Sequence, residues 1–542
     1  MDALLNGARE GLEPVTSMTR GHGMPHFDRP RVASIRLYLV PLNILWLRSL
    51  VVCYKMSSTF WGKILLRIAN ATGQRGRLLQ NTGAWMLAAL VPAAFLVCLG
   101  TLAIYASPEN DDYCAAFLYV RDGFVQTVAG YYQRLSGRVV PLLVLQFPAA
   151  IAKTTGISIL QAYSLTLVAF GVLLVAGCAL AVARAWRSVS GIQLLALMLA
   201  LPAAIAGAPP SVHDLLYWLP AVICYGPPGA MTIVVLGECF DALWRDRAFS
   251  AAATKWITAG VFFAAMCNEF TSVWIIAILA SSFAGRYAFG QPPELGRHAV
   301  IVVAAVVGWL VVVAAPGNSV RAATVSDAWH LGQALRLGFD GYFRFLGKLL
   351  LAPSIIGWLI LVGAVTAFLP DKEKVRINAV LPLGIAVICF LCGYLENALH
   401  VFLTGTPLVE RAQNQLLILV AFAAALIVSC TVSISRSMLP PQLASNASFA
   451  PIALALIIVV SIWFSATATM IRREWASFVP FLDESRARDR YFTVDSAPIV
   501  TVAGHAFRPS VVFGVDITVH TACVALYYRK ADIIVSVPKD TR

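Results

Sequence analysis

Charge is scarce in this chain. Only 13% of its 542 residues are Asp, Glu, Lys or Arg, whereas 59% are hydrophobic, and the mean hydropathy is +0.75. A water-soluble fold could not hide so many apolar side chains, so a soluble globular protein is excluded and the natural solvent is a bilayer. Other signals are missing too. The one Cys-x-x-Cys spacing, Cys389 to Cys392 in an apolar run, has no second such pair to complete a zinc site, and no Gly-x-Ser-x-Gly motif marks a nucleophilic serine. No small-residue cleavage site follows a clean apolar core near the start, which argues against a signal peptide. The formal charge is +13, yet the basic residues fall as ones, twos and threes at the ends of apolar runs, without interleaved aromatics. They read as topology signals, and nucleic acid is not an expected partner.

What the chain has in abundance is apolar runs of spanning length. Crossing the hydrocarbon takes about 20 apolar residues per helix. Clear spans are expected at about 84 to 106, 158 to 183, 191 to 208, 221 to 244, 298 to 315, 346 to 370, 377 to 395, 414 to 435 and 449 to 468. The run 139 to 152 is too short to cross comfortably and suits a helix lying along the surface. The run 256 to 284 carries Asn268-Glu269 at its centre, which suits two short helices meeting at a polar tip. The fold class is therefore an all-α polytopic membrane protein with about 11 crossings. Six of the eleven cysteines, Cys98, Cys178, Cys239, Cys267, Cys389 and Cys430, sit in or beside these runs and read as packed membrane thiols.

Three regions follow. Residues 1–82 are a basic N-terminal region with one broken apolar run, cytoplasmic and interfacial at most; a native start near Met56 is the alternative. Residues 83–470 are the transmembrane domain, with a first outward loop at 107–138. Residues 471–542 mix charges, prolines and β-branched runs at 499–502, 511–519 and 533–537, which suits a small C-terminal α+β extracytoplasmic domain. With these crossings the basic loops at Arg184/Arg187, Arg245/Arg247/Lys255, Arg286/Arg297 and Lys372/Lys374/Arg376 share one side, cytoplasmic by the positive-inside rule. The unusual polar groups then share the other.

Those groups begin with Glu109-Asn110-Asp111-Asp112-Tyr113 at the exit of the first span, in a loop closed by Ser136-Gly137-Arg138. Further along come His213-Asp214 with Tyr217-Trp218 and Tyr225, then Glu269, then Pro316-Gly317-Asn318 with Arg321, then Glu396, and finally Glu410-Arg411. Adjacent carboxylates can accept a hydroxyl proton or hold a cation, and guanidinium binds phosphate bidentately. Glu269 and Glu396 lie in apolar runs, where a charge costs roughly 2.5 to 3.5 kcal/mol, so each is expected to be neutral, paired or beside a wet cavity. The aromatic residues suit either an interfacial belt or stacking on a sugar ring.

On the motifs Asp111-Asp112-Tyr113, Tyr132 through Arg138, Pro316-Gly317-Asn318 with Arg321, and Glu410-Arg411, the chain from about 84 onward resembles bacterial membrane glycosyltransferases of GT-C architecture. It is nearest to a poorly characterised multi-span group among them. The resemblance implies a multi-pass protein of the bacterial inner membrane, N-terminus cytoplasmic and C-terminal domain periplasmic. It further implies transfer of a sugar from a polyprenyl-phosphate-sugar donor to an envelope glycan or glycolipid acceptor by single displacement. Asp111 or Asp112 would be the base, and Arg138, Arg321 and Arg411 would hold the donor phosphate. Glu269, Glu396, Tyr217 and Trp218 would line the acceptor side. Magnesium or manganese bridging Asp111 or Asp112 to the phosphate is compatible with these ligands, and metal-free transfer equally so. A secondary transporter or lipid-linked-sugar flippase is the alternative, although no second copy of the first half is evident.

Overall fold

The computed structural model describes residues 73–542 except 190, 289, 291–294, 323–329, 368–379, 439–449, 515–520 and 537–542. The expected N-terminal region at 1–82 thus lies mostly outside the described residues, as does the basic loop around Lys372. The chain divides into a unit Met1–Gly76 and a unit Arg77–Arg542, and the second contains every element discussed below except the first four residues of α1.

The first span, α1 (Gly73–Leu102), leads into a run of short helices. These are α2 (Asn110–Asp122), α3 (Phe124–Arg134), α4 (Val139–Val144) and α5 (Phe147–Thr155). The long helices then alternate with short ones: α6 (Ile159–Ala185), α7 (Gly191–Gly207), α8 (Val212–Leu216), α9 (Leu219–Trp244), α10 (Ala251–Ala265), α11 (Glu269–Ala288), α12 (Leu295–Val313) and α13 (Pro316–Ala322). The bundle is completed by α14 (Leu331–Leu350), α15 (Pro353–Ala367), α16 (Val380–Thr404), α17 (Glu410–Met438), α18 (Ala450–Trp463), α19 (Ala466–Glu474) and α20 (Phe478–Val494). Strand β1 (Ile499–Ala503), helix α21 (Thr521–Tyr527) and strand β2 (Asp532–Ser536) close the chain, the two strands pairing in parallel.

Serine caps set several helix starts. Ser158 Oγ accepts the Gln161 N–H at 3.3 Å while the Ser158 N–H donates to Gln161 Oε1 at 3.1 Å, and Ser250 Oγ accepts the Ala253 N–H at 3.1 Å. Each such bond satisfies an orphan donor of the first turn.

This is a membrane protein built from helices. Among the described residues seven helices are long and apolar enough to cross a bilayer, and nine if each of two bent pairs counts as one span. The short apolar helices α7 and α10, 17 and 15 residues, account for the difference from the 11 crossings expected. At 1.5 Å per residue they reach only about 23 to 26 Å. The span expected at 346 to 370 is one of the bent pairs: α14 and α15 meet at 67° across Leu351 and Ala352. The run 256 to 284 is two helices, α10 and α11. It breaks because Asn268 Oδ1 accepts the N–H groups of Phe270 and Thr271 at 3.1 and 3.0 Å, capping α11 from within an apolar stretch.

Helix α9 is the axis of the bundle, its spanning window 83% buried, with α6, α11 and α17 packed around it. Where α9 begins, the Tyr163 hydroxyl donates to the Tyr217 carbonyl at 3.0 Å and accepts the Leu219 N–H at 3.1 Å, and the Tyr217 hydroxyl donates to the Leu99 carbonyl at 2.8 Å. These bonds fix the ends of α1, α6 and α9 to one another.

The strands expected near 499 and 533 are β1 and β2, whereas 510–514 forms turns and 515–520 lies outside the described residues. The C-terminal segment belongs to the same compact unit as the spans. It shares a second apolar core with the first loop, made by Tyr113, Cys114, Ala149, Leu160, Phe492, Val500 and Val524 among others. A disulfide between Cys114 of α2 and Cys523 of α21 closes this seam. The membrane cysteines named from the sequence are all buried free thiols, as are Cys224 and Cys392, the latter three residues after Cys389 on α16. Because the disulfide links residues 409 apart, Cys114→Ser should destabilise the seam between the first loop and the C-terminal segment by about 2 to 4 kcal/mol. Thermal unfolding of the detergent-solubilised protein measures this, and alkylation of Cys114 in unreduced native protein would contradict the pairing.

Candidate functional site

The site is assembled at the end of the bundle where α9 begins. Its centre is Arg138, the residue that leads into α4. The guanidinium Nε and Nη2 donate to Glu269 Oε1 and Oε2 at 3.3 and 3.0 Å, a two-pronged pair in which both side chains keep part of their surface open. Glu269 is the first residue of α11, where the helix dipole favours an anion. The Asn268 cap that starts α11 is itself anchored. Its Nδ2 donates to the Cys224 carbonyl at 2.6 Å and to Gln415 Oε1 at 3.0 Å, and Gln415 Nε2 donates to Thr271 Oγ1 at 2.9 Å. This satisfied polar network lies fully buried between α9, α11 and α17, so Glu269 stands on a rigid base.

From Arg138 the site continues as a band. Nη1 lies 3.5 Å from the Tyr225 hydroxyl, and the guanidinium sits 6.0 Å from that ring's centre. Arg411, in the first turn of α17, stands 5.3 Å over the Trp218 ring, a favourable cation–π placement. Trp218 in turn stacks on His213, their planes 12° apart. The buried indole N–H of Trp218 has no acceptor among the described residues.

His213 is held between two carboxylates. Nε2 is 2.8 Å from Glu109 Oε1, and Nδ1 is 3.1 Å from Asp214 Oδ1. Glu109 Oε1 also accepts the Gly514 N–H at 2.9 Å, so the C-terminal segment is tied to the same group. Burial alone would lower the His213 pKa, but hydrogen bonds to Asp214 and Glu109 overcome it and raise it to about 9.

The two adjacent aspartates part company. Asp112 is buried, and its Oδ2 accepts the Glu109 N–H at 2.9 Å in a capping arrangement that starts α2. Burial pushes its carboxyl well above the usual range, against the Glu109 N–H bond that favours the anion, and Oδ1 has no hydrogen-bond partner among the described residues. Asp111 is exposed on the first turn of the same helix. Neighbouring positions on a helix point about 100° apart, so these two carboxylates do not make a joint cation site. No group of three or more His, Cys, Asp or Glu suited to a metal occurs among the described residues.

Of the residues singled out from the sequence, the fold joins Arg138 to Glu269 and Arg411 to Trp218. Asp112 is linked to the band through the Glu109 N–H. Tyr217 turns away: it is 1% exposed with its hydroxyl on the Leu99 carbonyl, so it serves the helix junction and lines no open face. Glu396 is elsewhere, buried within α16, which packs on α14, and both carboxyl oxygens lack a hydrogen-bond partner among the described residues. The Arg321 backbone lies in α13, and its side chain lies outside the described residues.

The Pro316-Gly317-Asn318 turn does meet the first loop. Asn318 Oδ1 accepts the Gly137 N–H at 3.4 Å, and Asn318 Nδ2 donates to the Val312 carbonyl at 2.7 Å. A Cβ on Gly137 would overlap the Val312 carbonyl, and one on Gly317 would sit 2.8 Å from the Ser136 nitrogen. Both glycines are therefore required by close backbone approach. Beside this junction an apolar groove of about 310 Å³ runs between α3 and α4, lined by Phe124, Val128, Tyr132, Val139 and Leu143. Val139 directly follows Arg138.

Sequence reasoning missed the Glu109–His213 pair and the network beneath Glu269. Both join residues more than 100 positions apart, so spacing along the chain carried no trace of them. Compared with protein families and with curated proteins, the chain matches no family model and no curated protein.

Two outcomes are expected. His213 titrates at about 9 in the fold against 6.5 for an ordinary histidine. Its contribution, roughly 3 kcal/mol at 1.36 kcal/mol per pKa unit, is complete below pH 6.5 and is lost as pH rises through 9. Tm measured from pH 6 to 10 should fall across that window, and His213→Gln should flatten the fall. Gly137→Ala should cost about 1 to 3 kcal/mol through overpacking against α12, measurable as a lower Tm with Gly171→Ala, where an added Cβ meets nothing, as a comparison away from the site.

Proposed function

We propose that the protein is a membrane glycosyltransferase that takes a sugar from a polyprenyl-phosphate-linked donor and passes it to an envelope glycan or glycolipid. The observation that carries this reading is two guanidinium–aromatic contacts where α9 begins, Arg138 at Tyr225 and Arg411 over Trp218, with an apolar groove lined in part by Val139, the residue after Arg138. A lipid-linked phosphate needs that combination: cationic donors for the leaving group and a greasy channel for the carrier chain. The unfilled indole N–H of Trp218 and the open part of Glu269 supply further hydrogen bonds for a sugar. Asp111 is the better candidate base, because it is exposed while Asp112 is buried in a helix cap. It would accept the acceptor hydroxyl's proton as the bond to the donor phosphate breaks. The Cys114–Cys523 disulfide supports an oxidising compartment for this face, as expected of the outer side of a bacterial inner membrane. The segment with β1 and β2 would be the extracytoplasmic domain covering the first loop.

One observation favours a second reading, a secondary transporter or lipid-linked-sugar flippase. Glu396 is a buried carboxyl without a hydrogen-bond partner inside a candidate span, as proton-coupled carriers use. Its substitution by Gln should leave transfer intact if the protein is a transferase.

The test is transfer of radiolabel from a panel of polyprenyl-phosphate sugars in membranes carrying the wild type or single variants. Asp111→Asn should lose about 10² to 10⁴-fold, the usual contribution of a general base. Asp112→Asn should insert normally and retain activity. Full activity of Asp111→Asn would remove the base assignment. Absence of transfer from every donor, with a competent acceptor present, would favour the carrier.

A further inference from the structure

The other end of α9 holds a second cluster, unrelated to the band above. Glu238 and Asp241 stand near the C-terminus of α9, and from Tyr225 to Asp241 the helix rises about 24 Å at 1.5 Å per residue. Both carboxylates are almost fully buried, and arginines from two loops converge on them. Arg187 Nη2 lies 2.7 Å from Glu238 Oε2, and its Nε lies 3.5 Å from Asp241 Oδ2. Arg184 approaches Glu238 at 3.5 Å, and Arg245 approaches Asp241 at 3.0 Å. Arg247 contacts Asp241 and reaches Glu238 at 4.0 Å.

Among the described residues, Arg184, Arg187 and Arg247 bring three guanidiniums to two buried carboxylates, one more cation than the pair balances, while Asp246 beside them faces Arg286. Arginines that served only as topology signals would spread into water. These are aimed at one point, and each keeps a quarter to about a third of its side chain open. Their loop is also braced. The buried Arg286 donates through Nη1 to the Arg247 carbonyl at 2.8 Å, Arg297 donates to the Phe249 carbonyl, and Asp246 between Arg245 and Arg247 takes a left-handed φ of 49°. Arg184 further stands 5.3 Å over the Trp256 ring, at the start of α10. A rigid fork of like charges at a membrane boundary is favourable only if an anion shares it.

We propose that Arg184, Arg187 and Arg247, fixed by Glu238 and Asp241, form a binding site for a phosphate-bearing anion at the end of the bundle opposite Arg138. The chemistry is a phosphate oxyanion held by open guanidinium N–H groups, whether it belongs to an anionic phospholipid headgroup or to a soluble phosphate.

The experiment uses the full-length protein in phosphatidylcholine nanodiscs, titrated with fluorescent phosphatidylglycerol in one arm and with inorganic pyrophosphate in the other. Arg184→Gln/Arg187→Gln is compared with wild type. Because that variant strips partners from Glu238, Arg184→Gln/Arg187→Gln/Glu238→Gln is measured beside it, so that the buried carboxylate is neutralised too. Saturable phosphatidylglycerol binding at least tenfold weaker in both variants supports the site with a lipid headgroup as its source. Saturable pyrophosphate binding that weakens in the same way and displaces the lipid supports it with a soluble phosphate. Equal affinity in wild type and both variants, or no saturable binding in either arm, overturns the proposal.

Discussion

The Arg138–Glu269 pair is the contact on which the candidate site depends. It binds the end of the first loop to the start of α11, half-buried, and leaves part of each group available. Everything around it serves to hold those two side chains. Asn268 starts α11 where it does, Gln415 and Thr271 hold Asn268, and the Gly137/Gly317 contact keeps Arg138 against α12 and α13. A charged pair near hydrocarbon is stable only when its geometry is fixed and its remaining hydrogen bonds are met. The polar network beneath α11 meets that requirement.

The second organising feature is the seam between the first loop and the C-terminal segment. The disulfide, the Tyr113 contacts with Tyr527 and Tyr528, and the Glu109 bond to the Gly514 N–H all cross it. Gly514 of the C-terminal segment packs against His213, while Asp112 is buried and Asp111 is on the surface. Two identical side chains, adjacent in sequence, thus acquire different chemistry: one a buried acid inside a helix cap, the other an exposed carboxylate.

Much of the architecture was legible from local pattern. Hydropathy located the membrane helices because spanning length is a local property, and Asn268-Glu269 announced the break between α10 and α11 because a polar pair in an apolar run must cap or kink it. The β-branched runs at 499 and 533 became strands for the same local reason. The site was legible only in part. Arg138, Glu269, Trp218 and Arg411 were identifiable as polar or aromatic groups at span ends, but which of them meet is decided by packing across the bundle. Cys114 and Cys523 are 409 residues apart, and nothing in their flanking sequences links them. Tyr217 and Trp218 are neighbours with equal claims on paper, and only the turn into α9 sends one to the Leu99 carbonyl and the other to Arg411.

The central claim is that Arg138 and Arg411 together receive a lipid-linked phosphate. It is tested most directly by equilibrium binding of sugar-free polyprenyl phosphate to the purified protein in nanodiscs, wild type against Arg138→Gln/Arg411→Gln, with Tm measured on both to verify the fold. The account predicts saturable binding to the wild type that weakens at least tenfold in a folded double variant. Equal affinity in the two proteins would contradict it.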